Sequence, residues 1–269
     1  MGVRDFFLSL PLFANLPRNE IEMLTRFAHL REYKKGEHVY RQGDEADRLS
    51  IVRDGWIRLY RGNAEGDEGT SQLLTNGDVL GERVILPGDM KHFYSAQAIG
   101  DSRTLSIPAS AMRDLAQRNS AIVGNMMQGV MDRMGRLHVE SEHMALFSTP
   151  QRVACLLLRL SSHMVGKGGT FTFPYDKSLA AAQLGMKRET FSRALGALRR
   201  FGTRAAGPEI EIDNFVRLSE SCCPRCSLSN ECRAARCMAS ARAEKTGRDK
   251  ASEGIRPPSE GGRPNIASM

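Results

Sequence analysis

The texture of the chain changes once, at Pro108, and that change limits the folds open to it. Before Pro108, short runs rich in β-branched and aromatic residues recur at 37–40, 48–53, 56–61, 71–75, 93–99 and 103–107. Turn formers separate them, among them Lys35-Gly36, Gln42-Gly43-Asp44, Asp54-Gly55, Asn76-Gly77-Asp78 and Pro87-Gly88-Asp89. Short strands at this spacing, joined by Gly and Asp turns, predict a β-sandwich or β-barrel. After Pro108 the apolar residues fall at helical spacing, and residues 12–30 read as a short helical entry to the β block. The expected class is α+β.

The first long helix carries a seam. Val123, Met127, Val130, Met134, Leu137 and Met144 step by 4, 3, 4, 3 and 7, with Ser141 filling the gap. A period of 3.5 held over about three heptads predicts coiled-coil pairing with a second copy of the chain. The competing reading is a single amphipathic helix lying on the β block. Thr149-Pro150 opens another helix, where Cys155 is expected to be a buried structural thiol. TFTF at 170–173 reads as a small strand, and the alternation over 209–218 as a β-hairpin or wing.

Residues 177–198, KSLAAAQLGMKRETFSRALGAL, carry the sharpest signal. A helix-turn-helix needs a small residue where its helices touch, a glycine at the turn and an apolar inner face on the second helix. Ala181 and Gly185 meet the first two needs, since glycine takes the positive φ of the turn without strain. Ala180, Leu184, Met186, Phe191 and Leu195 supply the inner face. Lys187, Arg188, Glu189, Thr190, Ser192 and Arg193 then project near the start of the second helix, the end that enters the major groove. Arginine can grip guanine O6 and N7 with two bonds, and glutamate can accept from a cytosine amine. Lys187 and Thr190 suit phosphates, which position without specifying.

Charge agrees with this reading. The 269-residue chain has a formal net charge of +7, and residues 177–204, with seven basic side chains against Glu189, hold +6 of it. The excess is a local footprint for an anionic polymer, and the rest of the chain is close to neutral. No run of about 18 apolar residues exists that could span a membrane. The N-terminal stretch is broken by Pro11 and lacks a small-residue cleavage site, so a secretion signal is not expected and the cytoplasm is the expected compartment. There is no internal repeat, Walker loop or HExxH motif, and no enzyme is expected.

The order of β-barrel, long helix, helix-turn-helix and wing resembles the Crp/Fnr family of bacterial transcription regulators over roughly residues 12–218. The residues that carry the resemblance are Lys35-Gly36-Glu37, Gly43, Asp54-Gly55, Gly77-Asp78 and Gly81-Glu82 in the β block, and Arg188-Glu189-Thr190 with Ser192-Arg193 in the second helix. It implies a cyclic-nucleotide-binding-like β-barrel of double-stranded jelly-roll type, a dimerisation helix and a winged helix-turn-helix. The expected divisions are 12–108 for the sensor barrel, 109–147 for the dimerisation region and 148–219 for the DNA-binding domain. A Cys-rich segment over 220–239 and a disordered tail over 240–269 follow.

The resemblance also implies a homodimer that binds DNA and works with RNA polymerase. Arg188, Glu189 and Arg193 match the set that the cAMP-binding branch uses on TGTGA-like half-sites. Glu189, Ser192 and Arg193 match the set that the oxygen-responsive branch uses on TTGAT-like ones. A palindromic TTGA/TGTGA-like operator is therefore expected.

Three kinds of effector remain open. The resemblance places the effector pocket at Gly81, Glu82, Tyr94 and Ser95, but family members that hold a cyclic nucleotide carry arginine where this chain has Tyr94. Tyrosine cannot neutralise a buried phosphate, which argues against cAMP. Neighbouring Lys91 or His92 would be displaced substitutes. The stretch from Gly81 to Ile99 looks more like branches answering oxygen, nitric oxide or redox state, some of which use haem; none of the six histidines has a diagnostic spacing. Finally, five of six cysteines fall between Cys222 and Cys237. Thiolates this close can hold zinc or an iron–sulfur cluster, with Cys223, Cys226, Cys232 and Cys237 as the expected ligands and Cys222 as a rival to Cys223. The alternatives to a gas- or redox-controlled regulator are a cyclic-nucleotide receptor and a metal or iron–sulfur redox protein acting through these cysteines.

Overall fold

The structure is a computed structural model that describes residues 2–62, 68–88, 90–164 and 169–222. Cys223, Cys226, Cys232 and Cys237, and the tail expected to be disordered over 240–269, lie outside the described residues.

Helices α1 (Val3–Leu8) and α2 (Arg18–Phe27) lead into eight strands: β1 (His29–Tyr33), β2 (His38–Tyr40), β3 (Arg48–Asp54), β4 (Ile57–Gly62), β5 (Glu68–Leu74), β6 (Val79–Leu80), β7 (Ser95–Ala98) and β8 (Ser102–Pro108). They form two antiparallel four-stranded sheets, ordered β1-β8-β3-β6 and β2-β7-β4-β5. Each sheet keeps two edges, so the architecture is a jelly-roll sandwich rather than a closed barrel. Both sheets contribute to the core between them: Val52 and Leu80 from one, Ile57, Leu59, Ala96 and Ala98 from the other. Within the first sheet Leu49 pairs with Ile107 and Ile51 with Leu105. Ser50 and Ser106 are buried opposite each other there, and their hydroxyls satisfy one another at 2.9 Å.

The helical entry read over 12–30 is in fact shorter and less uniform. Residues 29–33 form strand β1 on the edge of a sheet, paired with β8. Its residues HLREY are mostly exposed and show no apolar alternation. Pairing with a neighbour, not local preference, makes it a strand. The two-residue β6 was missed for the same reason.

Two helices follow, α3 (Ala109–Arg118) and α4 (Ser120–Leu146), broken at Asn119, whose side chain caps α4 by accepting from the Ala121 N–H at 3.0 Å. Ile122 and Met126 of α4 are buried against the sandwich. The heptad residues Val123, Met127, Val130, Met134, Leu137 and Met144 stay between 39% and 56% exposed in the single chain.

The C-terminal unit comprises α5 (Thr149–Met164), β9 (Gly169–Thr172), α6 (Lys177–Gln183), α7 (Arg188–Ala197), β10 (Thr203–Ala206), β11 (Glu209–Ile212) and α8 (Phe215–Glu220). Its core gathers Leu157, Phe171, Ala180, Phe191, Leu195, Leu198 and Ile210, all buried, and Cys155 of α5 is buried in the same cluster. The hairpin read over 209–218 is displaced. The wing is β10 paired with β11, and residues 215–220 are helical, capped by Asn214 through the Arg217 N–H at 3.0 Å. The strand alternation of 209–212 ends where this cap starts a new helix.

The unit docks on the sandwich. Trp56, Leu73 and Ile99 pack against its core, and Trp56 meets Tyr175 edge-to-face with ring centres 5.4 Å apart. Arg159 of α5 pairs with Glu140 of α4 at 2.7 Å, while within the unit Arg152 Nη1 donates to the Leu184 carbonyl at 2.8 Å and ties α5 to the end of α6.

Candidate DNA-reading face and sensor cavity

The turn between α6 and α7 is built as a helix-turn-helix requires. Gly185 has φ +63°, in the region that favours glycine, and a Cβ there would stand 3.3 Å from Met144 Sδ. The Met186 N–H donates to the Ala181 carbonyl at 2.9 Å, and Ala181 is buried where α6 meets α7. Phe191, Ala194 and Leu195 anchor the inner face of α7. Its outer face is free of the protein: Lys187, Arg188, Glu189, Thr190, Ser192 and Arg193 are all exposed on one end of the unit. Lys187 is the N-cap and Arg188 the first helical residue, so the basic groups sit at the end fit to enter a groove. Glu189 in the first turn faces the positive end of the helix dipole.

The sensor cavity lies between the second sheet, the turn after β6 and helix α4, with a volume of about 240 Å³. Gly81, Glu82 and Tyr94 line it. Gly81 has φ +77°, and a Cβ there would come within 2.7 Å of the Arg48 carbonyl, so the turn presenting Glu82 closes only with glycine. Ser95 does not join them; it is buried behind, accepting from the Gln42 N–H at 3.0 Å. Tyr94 stands 39% exposed at the rim, its ring 6.0 Å from the Arg61 guanidinium.

The substitutes considered for Tyr94 do not serve. Lys91 is exposed in an isolated bridge with Glu45. His92 is buried and stacked on Tyr40 with ring centres 3.5 Å apart, and burial pushes its pKa below the usual 6.5, so the neutral ring is the folded form. The cations of the cavity come instead from Arg83 and Arg133. Arg133, on α4, pairs with Glu82 at 2.6 Å and donates to the Val79 carbonyl at 2.5 Å. This pair is mostly buried and ties the glycine–glutamate turn to the helix that carries the seam. Sequence reading missed both arginines. Arg83 was hidden next to Glu82, and Arg133 lies fifty residues away from it, off the heptad seam, so only the fold brings them together.

Among the described residues, three of the histidines considered for haem are engaged with aromatic or phenolic neighbours. His38 shares a hydrogen bond with the Tyr60 hydroxyl at 2.7 Å, His143 stands edge-on to Phe147, and His92 is stacked as above. Among the described residues, no three His, Cys, Asp or Glu side chains gather as a metal site. Cys222, the rival for Cys223, is buried at the end of α8 with its thiol 3.5 Å from the Leu218 carbonyl. Among the described residues no helix is long and apolar enough to cross a membrane.

A jelly-roll sensor, a long apolar-faced helix and an exposed helix-turn-helix define a ligand-binding type of DNA-binding regulator. Residues 30–119 match the cyclic nucleotide-binding domain family, and residues 151–221 match the Crp-like helix-turn-helix domain family. The chain is 29% identical over 211 residues to the cyclic AMP receptor protein of Thermus thermophilus, covering 78% of this chain and 95% of that one. It is 27% identical over 214 residues to the fumarate and nitrate reduction regulatory protein of Escherichia coli, covering 76% and 83%. The fold matches FixK2 of Bradyrhizobium japonicum with a TM-score of 0.66 at 22% identity, over 73% of this chain and 98% of that one. The chain belongs to the Crp/Fnr family of DNA-binding transcription regulators.

Proposed function

We propose that this protein is a homodimeric, effector-controlled transcription regulator that binds TTGA/TGTGA-like palindromes, works with RNA polymerase in the cytoplasm, and answers oxygen, nitric oxide or redox state. The observation that carries the DNA reading is the exposed outer face of α7, where Arg188, Glu189, Ser192 and Arg193 project together beside Lys187 and Thr190. Arg193 and Arg188 grip guanine edges, Glu189 accepts from cytosine, and Lys187 and Thr190 hold phosphates. The dimer follows from the seam of α4, whose apolar residues face water in the single chain. Burying such a stripe against its copy stabilises the pair by about 25 cal/mol per Å². Two heads related by a two-fold axis then meet half-sites about one helical turn apart.

The redox reading draws on the relative named for fumarate and nitrate reduction and on the cysteines after α8. Cys223, Cys226, Cys232 and Cys237 are the proposed ligands of an iron–sulfur cluster or zinc. The buried thiol of Cys222 points into the head, which favours Cys223 over it. A group bound there would attach directly to the core of the reading unit through α8, whose Leu218 is buried in it.

Gel-shift and anisotropy measurements with palindromic TTGA- and TGTGA-type duplexes test the DNA reading. The expected result is tight binding by a dimer, lost with scrambled half-sites by about 1–3 kcal/mol per changed base pair. Equal affinity for scrambled DNA rejects it. Anaerobic purification with metal analysis and visible spectroscopy tests the cysteines, and protein without iron or zinc under those conditions rejects a bound metal.

A further inference from the structure

Among the described residues, the sensor cavity holds one charge without an ionic partner. Of its ionised groups, Glu82 is matched by Arg133 at 2.6 Å. Arg83 is left over. Its Nε and Nη1 are buried with no hydrogen-bond partner among the described residues, and its Nη2 reaches only the Met90 thioether at 3.1 Å. A guanidinium has five N–H donors, and a buried one without oxygen acceptors is an exception that calls for a partner. What covers it is Phe93, whose ring centre lies 3.7 Å from the guanidinium carbon. Phe93 is 61% exposed, so the cover is a side chain standing in water at the rim, held by little else. The cation–π contact compensates part of the charge and none of the N–H groups.

We propose that Arg83 is the anchor of an anion subsite in the sensor cavity, that Phe93 is its displaceable cover, and that the ligand is a small organic monocarboxylate with an apolar or aromatic body. The charge count calls for one negative charge, since the other arginine of the cavity is neutralised by Glu82. The planar fork of arginine matches a carboxylate with two parallel bonds. Leu59, Leu137 and the ring of Tyr94 face the remainder of the ligand. At about 240 Å³ the cavity falls below the range of about 300–1,000 Å³ usual for drug-sized ligands, which points to a small molecule. Binding would draw Phe93 off Arg83 while the carboxylate takes the vacated N–H groups. Leu137 and Arg133 belong to α4, so a ligand seated here touches the dimer helix directly. The subsite goes beyond the gas or redox reading given above: it adds an organic effector, bound in the cavity, to whatever the cysteines after α8 hold, and it stands independently of that reading.

The test is calorimetric titration of the full-length protein, without DNA, with benzoate, phenylacetate and hexanoate, and in parallel with inorganic phosphate and cAMP. Leaving DNA out separates failure of the subsite from failure of the DNA reading. The expected result is saturable binding of at least one carboxylate, weakened about tenfold or more by Arg83→Gln. Phe93→Ala keeps the binding and speeds association measured by stopped flow. Unchanged affinity in a folded Arg83→Gln, no saturable carboxylate binding at millimolar concentration, or binding of phosphate or cAMP alone overturns the proposal. Should Arg83→Gln fail to fold, Phe93→Ala decides: an association rate equal to wild type overturns the cover.

Discussion

The reading unit and the sensor cavity are assembled in opposite ways. The reading face comes from one continuous stretch, Lys187 to Arg193, set on a single helix whose apolar side is fixed by Phe191 and Leu195. The cavity is made of Tyr40, Leu59, Ser71 with Gln72, Gly81 to Arg83, His92 to Tyr94, and Arg133 with Leu137, drawn from six separate parts of the chain. The first can keep its chemistry while the rest of the molecule changes. The second changes its ligand whenever any one of those parts is replaced. Here the turn glycine and glutamate are present, position 94 is tyrosine, and the cations lining the cavity are Arg83 and Arg133.

The largest effect expected tests whether the two units are also separate in stability. Phe191 is fully buried in the head, and Phe191→Ala should cost the head about 3–5 kcal/mol. Scanning calorimetry should show the head melting early while the transition of the sandwich holds its midpoint. A common shift of both would mean that the Trp56–Tyr175 contact and the Arg159–Glu140 pair fuse them into one cooperative unit, and the comparison would break.

A smaller effect sharpens the picture of the reading face. Arg193→Ala should cost about 1–3 kcal/mol against the preferred half-site and relax the preference at one base pair. Lys187→Ala should weaken binding to all duplexes alike and lower the salt slope by about 1. Anisotropy titrations at several salt concentrations, on matched and mismatched duplexes, separate the two. If both variants behave alike, α7 holds the backbone and reads no base.

Legibility in the sequence followed the same division. The turn glycine Gly185, the small contact residue Ala181 and the basic face of α7 could be placed because local spacing decides them. Most strands before Pro108 could be placed for the same reason. Strand β1 could not, since HLREY carries no alternation and only pairing with β8 makes it a strand. The wing was placed too far along because 209–218 looked continuous, while the Asn214 cap divides it. In the cavity, the glycine–glutamate turn was visible through its required backbone shape, and the tyrosine at 94 through its departure from the family pattern. The two arginines were not, because a charged residue beside Glu82 and another on a long helix announce nothing until the fold sets them in one wall.

The smallest effect expected belongs to the sensor alone and concerns pH. Burial holds His92 and half-buried His38 below the usual 6.5; Arg41 and Arg58 add to the lowering at His38, while for His92 Asp44 and Asp47 pull the other way and Arg83 adds to the lowering. Both rings are therefore neutral in the fold, and the unfolded chain takes up the proton first as pH falls. The contribution to stability is complete above about pH 6.5 and is lost as pH falls from there through the depressed folded value. His92 and His38 both belong to the sandwich, so the loss is expected there first. Melting curves at about pH 8 and about pH 5 should show the sandwich transition fall and the head transition hold. His92→Phe keeps a ring to stack on Tyr40 and removes the proton, so it should flatten most of the fall. A head that loses stability in step with the sandwich would show that the proton reaches it through the docked interface, and the two units would then have to be treated as one.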